Sequence, residues 1–170
     1  MRFGKLGIQI CYDMAYDDGW EVLDRKGADI VVWPSQSPQT IQPRFRASQH
    51  GYYVVSSTWR NNASFFDPVG GLFAQTRRPS SVCVAELDLS YAIMGWQPKL
   101  ENGQALTERY GKRVGYRYSE AEDCGIFWSN DPKTPIMKMV RDLGLELMPD
   151  AIERSRRLQD QIRGGPPSRD

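Results

Sequence analysis

The sequence predicts an α/β fold whose sheet is parallel at first and antiparallel later. Apolar strand patterns alternate with helical patterns up to about residue 58, as is typical of βαβ units. A nearly continuous apolar run at residues 28–33 indicates a strand covered by helices, as in parallel sheets. Two later apolar segments flank a Pro-Val-Gly-Gly turn at residues 68–71, which indicates an antiparallel hairpin.

The alternating part contains three predicted strands (residues 2–10, 28–33 and 52–58) and two predicted helices (residues 17–27 and 43–50). Asp17 or Asp18 can cap the start of the first helix, and Gly27 is suited to its end. Pro43 suits the first turn of the second helix. Because a strand, a helix and a strand follow each other, we expect the first two strands to be parallel, with a right-handed crossover.

The later part of the chain has weaker patterns. A hairpin is predicted over residues 64–75, a further strand over 81–88, helices over 136–143 and 150–162, and a frayed tail over 164–168. Residues 97–134 scatter glycines and aromatics among charges, and we expect a long C-terminal arm with little regular structure there. The predicted domain boundary separates residues 1–89 from a C-terminal extension, residues 90–170.

Composition excludes several classes of function. The 170 residues contain 22 basic and 21 acidic side chains, for a net charge of +1, so we expect no nucleic-acid partner and no anionic membrane surface. No apolar run approaches the roughly 20 residues of a membrane-spanning helix, and the N-terminal pattern is that of a strand rather than a signal peptide. Three widely spaced cysteines favour a reducing, cytoplasmic setting.

Cys11 is the residue around which the functional hypothesis is built. It follows the first apolar strand and precedes a polar turn, a position where a strand holds a thiol rigidly and a turn exposes it as a nucleophile. The structural alternative is a small buried cysteine at a strand end, since unpaired cysteines are among the most buried residues.

Other residues could supply a base for Cys11. His50, the single histidine, could form a cysteine-protease-like pair with it, although a histidine at a helix end is commonly only a helix-terminus residue. A single histidine also excludes a multi-histidine metal site, and we expect neither a metal nor a cofactor. Lys5 and Glu21 are not assigned as partners, since six residues along a strand span about 20 Å and Glu21 falls on a helix face.

Five short motifs together resemble the nitrilase superfamily of carbon–nitrogen hydrolases. The first is Gly-Ile-Gln-Ile-Cys-Tyr-Asp at residues 7–13, followed by Gly-Ala-Asp-Ile-Val-Val-Trp-Pro-Ser at residues 27–35. The remaining motifs, in order, are residues 46–55, Phe-Asp-Pro-Val-Gly at 66–70 and Glu-Leu-Asp-Leu at 86–89. The resemblance covers about residues 1–89 and makes Cys11 the match to the family's nucleophile.

The resemblance implies an α-β-β-α sandwich, of which this chain would be half or more, with a mixed sheet and a long C-terminal arm. It also implies hydrolysis of a small-molecule amide, nitrile or N-carbamoyl compound by a cysteine, a glutamate base and a lysine. Cys11 would attack the carbon, and the backbone N–H of Tyr12 would bind the oxyanion. Trp33, Pro34 and Ser35 would line the mouth of the pocket.

One departure from the family concerns the glutamate and the lysine. In the family they precede the cysteine by many tens of residues, whereas ten residues precede Cys11 here. The resemblance therefore implies the C-terminal half of a hydrolase. Such a half would leave an apolar sheet face and a strand edge uncovered, and we expect a homo-oligomer. The alternative is a module that keeps the fold without the chemistry and acts in protein association.

Overall fold

The computed structural model describes residues 4–165. The chain forms two compact units, Met1–Leu89 and Ser90–Asp170, and each is described by itself. No helix within residues 4–165 is both long and apolar enough to cross a membrane.

The first unit is a five-stranded mixed sheet with two helices. Its elements are β1 (Leu6–Ile8), α1 (Asp18–Arg25), β2 (Ile30–Ser35), α2 (Ile41–His50), β3 (Tyr53–Thr58), β4 (Ser64–Phe66) and β5 (Leu72–Gln75). The strand order is β1-β2-β3-β4-β5, with parallel pairing from β1 to β3 and antiparallel pairing from β3 to β5. The predicted α/β class, the parallel βαβ unit and the later hairpin are therefore confirmed.

One face of this sheet carries the core. Gly7, Val31 and Val54 lie in register on neighbouring strands, so their side-chain positions share a face. A Cβ on Gly7 would lie 2.8 Å from a methyl of Leu23, so the missing side chain lets α1 approach the sheet. The buried residues of this core are Met14, Trp20, Val31, Trp33, Ala47, Tyr52, Val54 and Phe66.

The opposite face is apolar and open on β1. Leu6 and Ile8 are 63% and 57% exposed, and β1 is an edge strand of its sheet. Their large exposure agrees with the expected uncovered face and strand edge. Apolar side chains at an open sheet edge favour association with another surface.

The helix ends follow the turn chemistry of the sequence. Lys26 ends α1, and Gly27 beyond it adopts φ +69° while its N–H donates to the carbonyl of Asp24 at 2.7 Å. Gly51 ends α2 with φ +68°, and its N–H reaches the carbonyl of Ala47 at 2.9 Å. A left-handed residue at a helix end favours glycine because glycine has no Cβ. Pro43 lies in the first turn of α2, as expected.

The strand predicted over residues 81–88 is wrong. These residues form no strand, and Val82 and Val84 point outward with large exposed surfaces. The end of the segment is held where the Tyr53 hydroxyl donates to the Asp88 carbonyl at 3.0 Å. Alternating apolar residues form a strand only when another strand satisfies the backbone, and none within residues 4–165 pairs with this segment.

The second unit corrects the expectation of little regular structure over residues 97–134. It contains β6 (Tyr91–Gly95), α3 (Gln104–Tyr110), β7 (Val114–Ser119), β8 (Cys124–Ser129), α4 (Ile136–Asp142) and α5 (Met148–Arg163). Its antiparallel sheet has the order β6-β8-β7. It also has a core of its own, formed by Ala92, Met94, Leu100, Leu106, Tyr110, Val114, Phe127, Ile136, Met139, Val140 and Leu145.

The glycines of this region explain the difference between the expected loop and the observed strands. Gly115 and Gly125 resemble turn signals, yet both lie within strands. A Cβ on Gly115 would lie 2.5 Å from the ring of Trp128, and one on Gly125 would lie 2.5 Å from the carbonyl oxygen of Arg117. Both glycines are needed for close cross-strand packing, which a single sequence does not distinguish from a turn.

The two C-terminal helices are confirmed with small shifts of their ends. Gly144, with φ +60°, follows α4, and the last helix begins at Met148 with Pro149 in its first turn. Gly164 ends this helix with φ +78°. Residues 166–168 of the predicted frayed tail lie outside the described residues.

We predict that Tyr52→Phe stabilises the protein, most strongly at alkaline pH. The Tyr52 hydroxyl is buried without a hydrogen-bond partner among the described residues. Burial, together with the Asp24 carboxylate, raises the pKa of Tyr52 well above its ordinary value of 10.0. As the pH rises, Tyr52 ionises in the unfolded chain before it ionises in the folded protein. The stability that comes from keeping Tyr52 neutral is therefore present below about pH 10 and is lost as the pH rises further, and Tyr52→Phe escapes this loss.

The measurement is urea unfolding of both proteins at about pH 8 and about pH 11. The gap between Tyr52→Phe and the unmodified protein should widen at the higher pH. Tyr12→Phe is the control, because Tyr12 is exposed. An equal gap at both pH values would contradict the prediction.

Candidate active site

Cys11 lies at a sharp turn from strand to helix. After β1, the N–H of Gln9 still donates to the carbonyl of Val32 at 3.1 Å, and Cys11 then begins a short 3-10 helix, Cys11–Ala15. Its φ is +45°, a left-handed conformation that costs a residue with a Cβ about 1 kcal/mol. Cys11 is exposed and not in a disulfide. The exposed thiol excludes the alternative of a buried structural cysteine.

Asp13 closes the turn on both sides of Cys11. Its carboxylate accepts a hydrogen bond from the N–H of Ile10 at 2.8 Å, and its own N–H donates to the Ile10 carbonyl at 2.9 Å. The bond from the Ile10 N–H to the Asp13 carboxylate is the half of a capping box that the third helical residue supplies, at the start of the short helix. The left-handed conformation of Cys11 is thus held by bonds from the residue before it and the residue two positions after it.

Two buried indoles, those of Trp33 and Trp20, donate hydrogen bonds to main-chain carbonyls of the turn. Trp33 Nε1 donates to the Cys11 carbonyl at 3.0 Å, and Trp20 Nε1 donates to the Asp13 carbonyl at 3.1 Å. Both side chains are fully buried in the core of the first unit. The position of the thiol therefore depends on the packing of β2 and α1.

Arg46 completes this support and was not predicted from the sequence. Only 4% of this α2 residue is exposed, and it donates to the Met14 carbonyl at 3.1 Å. It also forms an ion pair of 2.5 Å with Asp17 and lies 5.6 Å above the Trp20 ring. An arginine on a helix gives no sequence signal of burial, and the partners that hold Arg46 to the turn, Met14, Asp17 and Trp20, lie about 30 positions earlier in the chain.

The other predicted site residues have different surroundings. The Tyr12 side chain is exposed, and its N–H belongs to the first turn of a helix, where N–H groups lack intrahelical acceptors. Trp33 is buried beneath the turn, while Pro34 is exposed. Ser35 is half-buried, and its hydroxyl accepts from the N–H of Ser37 at 3.0 Å. The roles of Tyr12, Pro34 and Ser35 in binding stay predictions.

The candidate base residues have partners elsewhere. The His50 side chain is almost fully buried, with Nδ1 3.2 Å from the Asp24 carboxylate and its ring stacked on Tyr52. Lys5 Nζ donates to the carbonyl of Lys26 at 2.8 Å. Glu21 lies 3.4 Å from Arg25 on the exposed side of α1. These contacts argue against a Cys11–His50 pair and support leaving Lys5 and Glu21 unassigned.

Within residues 4–165, no group of three or more His, Cys, Asp or Glu side chains is placed to hold an ion. The turn itself presents the Cys11 thiol and the backbone N–H groups that follow it.

Comparison with known proteins identifies the family of this chain. The profile of the carbon–nitrogen hydrolase family matches residues 1–94, which is more than half of the 170 residues. The chain belongs to the carbon–nitrogen hydrolase family. The family predicted from the short motifs is thereby confirmed, and the match includes the whole first unit and its Cys11 turn.

Individual carbon–nitrogen hydrolases are similar to this chain over about half of its length. Deaminated glutathione amidase of Bos taurus is 30% identical over 105 residues, 52% of this chain and 32% of that protein. An omega-amidase of Saccharomyces cerevisiae is 31% identical over 104 residues, 51% of this chain and 36% of that enzyme. This chain thus spans about a third of the length of these relatives.

Among solved structures, the NitFhit protein of C. elegans matches with a TM-score of 0.46 and 26% identity, covering 50% of this chain and 25% of that one. Nit3 of Saccharomyces cerevisiae matches with a TM-score of 0.41 and 25% identity, covering 45% of this chain and 34% of that one.

We predict that the three cysteines of the native protein react with iodoacetamide in the order of their exposure. Cys11 is exposed, Cys83 is half-buried and Cys124 is buried, so Cys11 should react first and Cys124 last. Peptide mapping by mass spectrometry after short reaction times measures the order. The urea-unfolded protein is the control, in which the three rates should converge. Native reaction of Cys124 as fast as Cys11 would contradict the prediction.

A second prediction concerns the indole that supports the turn. Trp33→Phe keeps an aromatic ring in the core but removes the donor to the Cys11 carbonyl, which should lower the free energy of unfolding by about 1–2 kcal/mol. Urea unfolding measures the change. Trp59→Phe is the matched control, because Trp59 is 60% exposed. Equal losses in the two variants would show that the Trp33 bond is not a specific support.

Proposed function

We propose that the first unit carries the nucleophile of a carbon–nitrogen hydrolase that cleaves a small, non-peptide amide. The observation that carries the proposal is the exposed, left-handed Cys11 at the end of β1. Nucleophiles at sharp turns between a strand and a helix are exposed to substrate, while the backbone that follows offers N–H donors. Family membership supplies the reaction class.

The proposed reaction has two steps. The Cys11 thiolate attacks the amide carbon, and the tetrahedral oxyanion accepts a hydrogen bond from the backbone N–H of Tyr12. The nitrogen takes up the proton that the thiol gave to the base, the C–N bond breaks, and ammonia leaves behind an acyl thioester. Water then attacks the thioester, which releases a carboxylic acid and restores the thiol.

Amides are proposed ahead of nitriles and N-carbamoyl compounds because of the relatives. The two similar enzymes described above are named as amidases, one acting on deaminated glutathione. Nitriles and N-carbamoyl compounds stay the second choice, since the same thiol attack opens them as well. Trp33 supports the turn in this proposal, and Pro34 and Ser35 stay predicted pocket residues.

The glutamate base and the lysine implied by the family are proposed to come from polypeptide outside these 170 residues. The support is that Lys5, Glu21 and His50 are each engaged away from the turn. A thiol with an ordinary pKa near 8.5 needs such a base to attack an amide at neutral pH.

The cytoplasmic setting also stays a prediction. We further expect self-association, because the open apolar face of β1 offers a surface for it.

The second candidate function is a non-catalytic module of the same fold. The same engaged side chains favour it, because Cys11 without a base would remain a weakly reactive thiol. In this function the open face of β1 and its edge would serve protein association alone.

The nucleophile is tested by acylation with p-nitrophenyl acetate, whose good leaving group removes the need for the missing base. We predict one acetyl group on Cys11, detected by peptide mass spectrometry, and none there in Cys11→Ala. Cys83→Ala is the matched control and should acylate normally. Acylation of Cys83 in preference to Cys11 would contradict the assignment of Cys11 as the nucleophile.

The reaction class is tested by ammonia release from short amides, nitriles and N-carbamoyl compounds. Any release from the unmodified protein should fall by a factor of about 10⁴ or more in Cys11→Ala, because the covalent step is lost. Release that survives this change would overturn the proposed nucleophile. Acylation of Cys11 without ammonia release is the result expected while the base lies outside these 170 residues, whereas absence of Cys11 acylation would favour the non-catalytic module.

A further inference from the structure

An open cavity of about 800 Å³ lies at the carboxyl end of β3. Its walls come from the end of β3, the loop after it and the segment after β5, and they include Trp59, Arg60, Asn61 and Arg78. None of the described residues that line it is Asp or Glu. The cavity therefore combines two positive charges with an apolar ring and no acidic side chain.

Among the residues that the structure describes, the two arginines of the cavity have no acidic partner. Within residues 4–165, neither the Arg60 nor the Arg78 guanidinium forms an ion pair with a carboxylate, unlike Arg25, Arg46 and Arg154. The Arg60 guanidinium lies 4.9 Å from the centre of the Trp59 ring. Such stacking orients a guanidinium by its face and leaves its N–H edge available to a planar anion.

The walls of the cavity are held together by side-chain amides. With its amide oriented to satisfy both neighbours, Asn61 accepts from the main-chain N–H of Arg78 at 2.7 Å and donates to the Ser80 carbonyl at 2.9 Å. Asn62 accepts from the Thr58 hydroxyl and donates to the Pro38 carbonyl at 2.7 Å. The loop that carries Trp59 and Arg60 is thus tied to both adjoining segments.

The backbone of this loop is also specialised. Arg60 and Asn61 adopt consecutive left-handed conformations, with φ +64° and +59°. Each such conformation is costly for a residue with a Cβ, and the hydrogen bonds of the Asn61 and Asn62 side chains offset that cost. They hold Arg60 at the cavity with its side chain stacked on the neighbouring ring.

We propose that this cavity binds the carboxylate of a small organic acid, with Arg60 and Arg78 pairing with its oxygens. Guanidinium groups match carboxylates through paired N–H bonds. The Trp59 ring and Pro79 provide apolar surface beside the charges. An organic acid covers that surface with its carbon chain, whereas inorganic phosphate would leave it in water.

The position of the cavity relates it to Cys11. Both follow the carboxyl ends of parallel strands of one sheet, and β2 separates β1 from β3. Two strand spacings correspond to about 10 Å. The carboxylate would then belong to the substrate, an amide with an acid group at its far end. This last step rests on the proposed function, whereas binding of the acid does not.

The experiment is titration calorimetry of the full chain with glutarate, its neutral counterpart glutaramide and inorganic phosphate. Glutarate should bind at least about tenfold more tightly than either of the others. Arg60→Gln and Arg78→Gln should each weaken glutarate binding about tenfold or more, with circular dichroism unchanged. Arg77→Gln is the matched control, since Arg77 is exposed, adjacent in sequence and outside the cavity lining, and it should change binding by less than about twofold.

Three results would overturn the assignment: equal binding of glutarate and glutaramide, tighter binding of phosphate, or an equal loss in Arg77→Gln. Absence of measurable glutarate binding would overturn it as well. The same titration on Cys11→Ala separates the two proposals, because this variant should bind glutarate as the unmodified protein does. Retained binding without acylation of Cys11 would refute the proposed function alone, and acylation without glutarate binding would refute this one alone.

Discussion

The hydrogen bond from the Trp33 indole to the Cys11 carbonyl connects the fold to its chemistry. Trp33 lies on β2, between β1 and β3, and is fully buried against the helices of the first unit. A left-handed cysteine is unfavourable unless its surroundings hold it. Asp13 and Trp20 supply the other supports, so the exposed thiol depends on a rigid core rather than on its own loop. Arg46 extends this dependence to α2.

The same sheet organises two sites by one geometric rule. Because parallel strands end at a common edge, the turn at Cys11 and the loop at Arg60 lie at the same side of the sheet although about 50 residues separate them. The first carries the exposed thiol that we propose as a nucleophile, and the second carries two guanidinium groups beside an aromatic ring. The proposed thiol reaction and the proposed acid-binding cavity, on one edge of the sheet, would together suit an amide that also carries a carboxylate.

Two expectations failed because strand formation depends on partners. The alternating residues around Val82 and Val84 match a strand, but within residues 4–165 no strand pairs with them. The region containing Gly115 and Gly125 matches a loop, yet those glycines sit in a sheet where neighbouring groups leave no space for a side chain. Periodicity describes one strand at a time, whereas hydrogen bonding and close packing involve two.

The sequence by itself determined the order of strands and helices from β1 to β5, the helix-ending glycines, the family and Cys11 as the residue of interest. These features are local, since periodicity, turn residues and short motifs are carried by neighbouring positions. Only the tertiary structure decided that Trp33 and Arg46 support the turn and that His50 pairs with Asp24 instead of Cys11. It also decided that Arg60 and Arg78 share a cavity. Each of these contacts joins residues far apart in the chain, and their proximity is a consequence of packing.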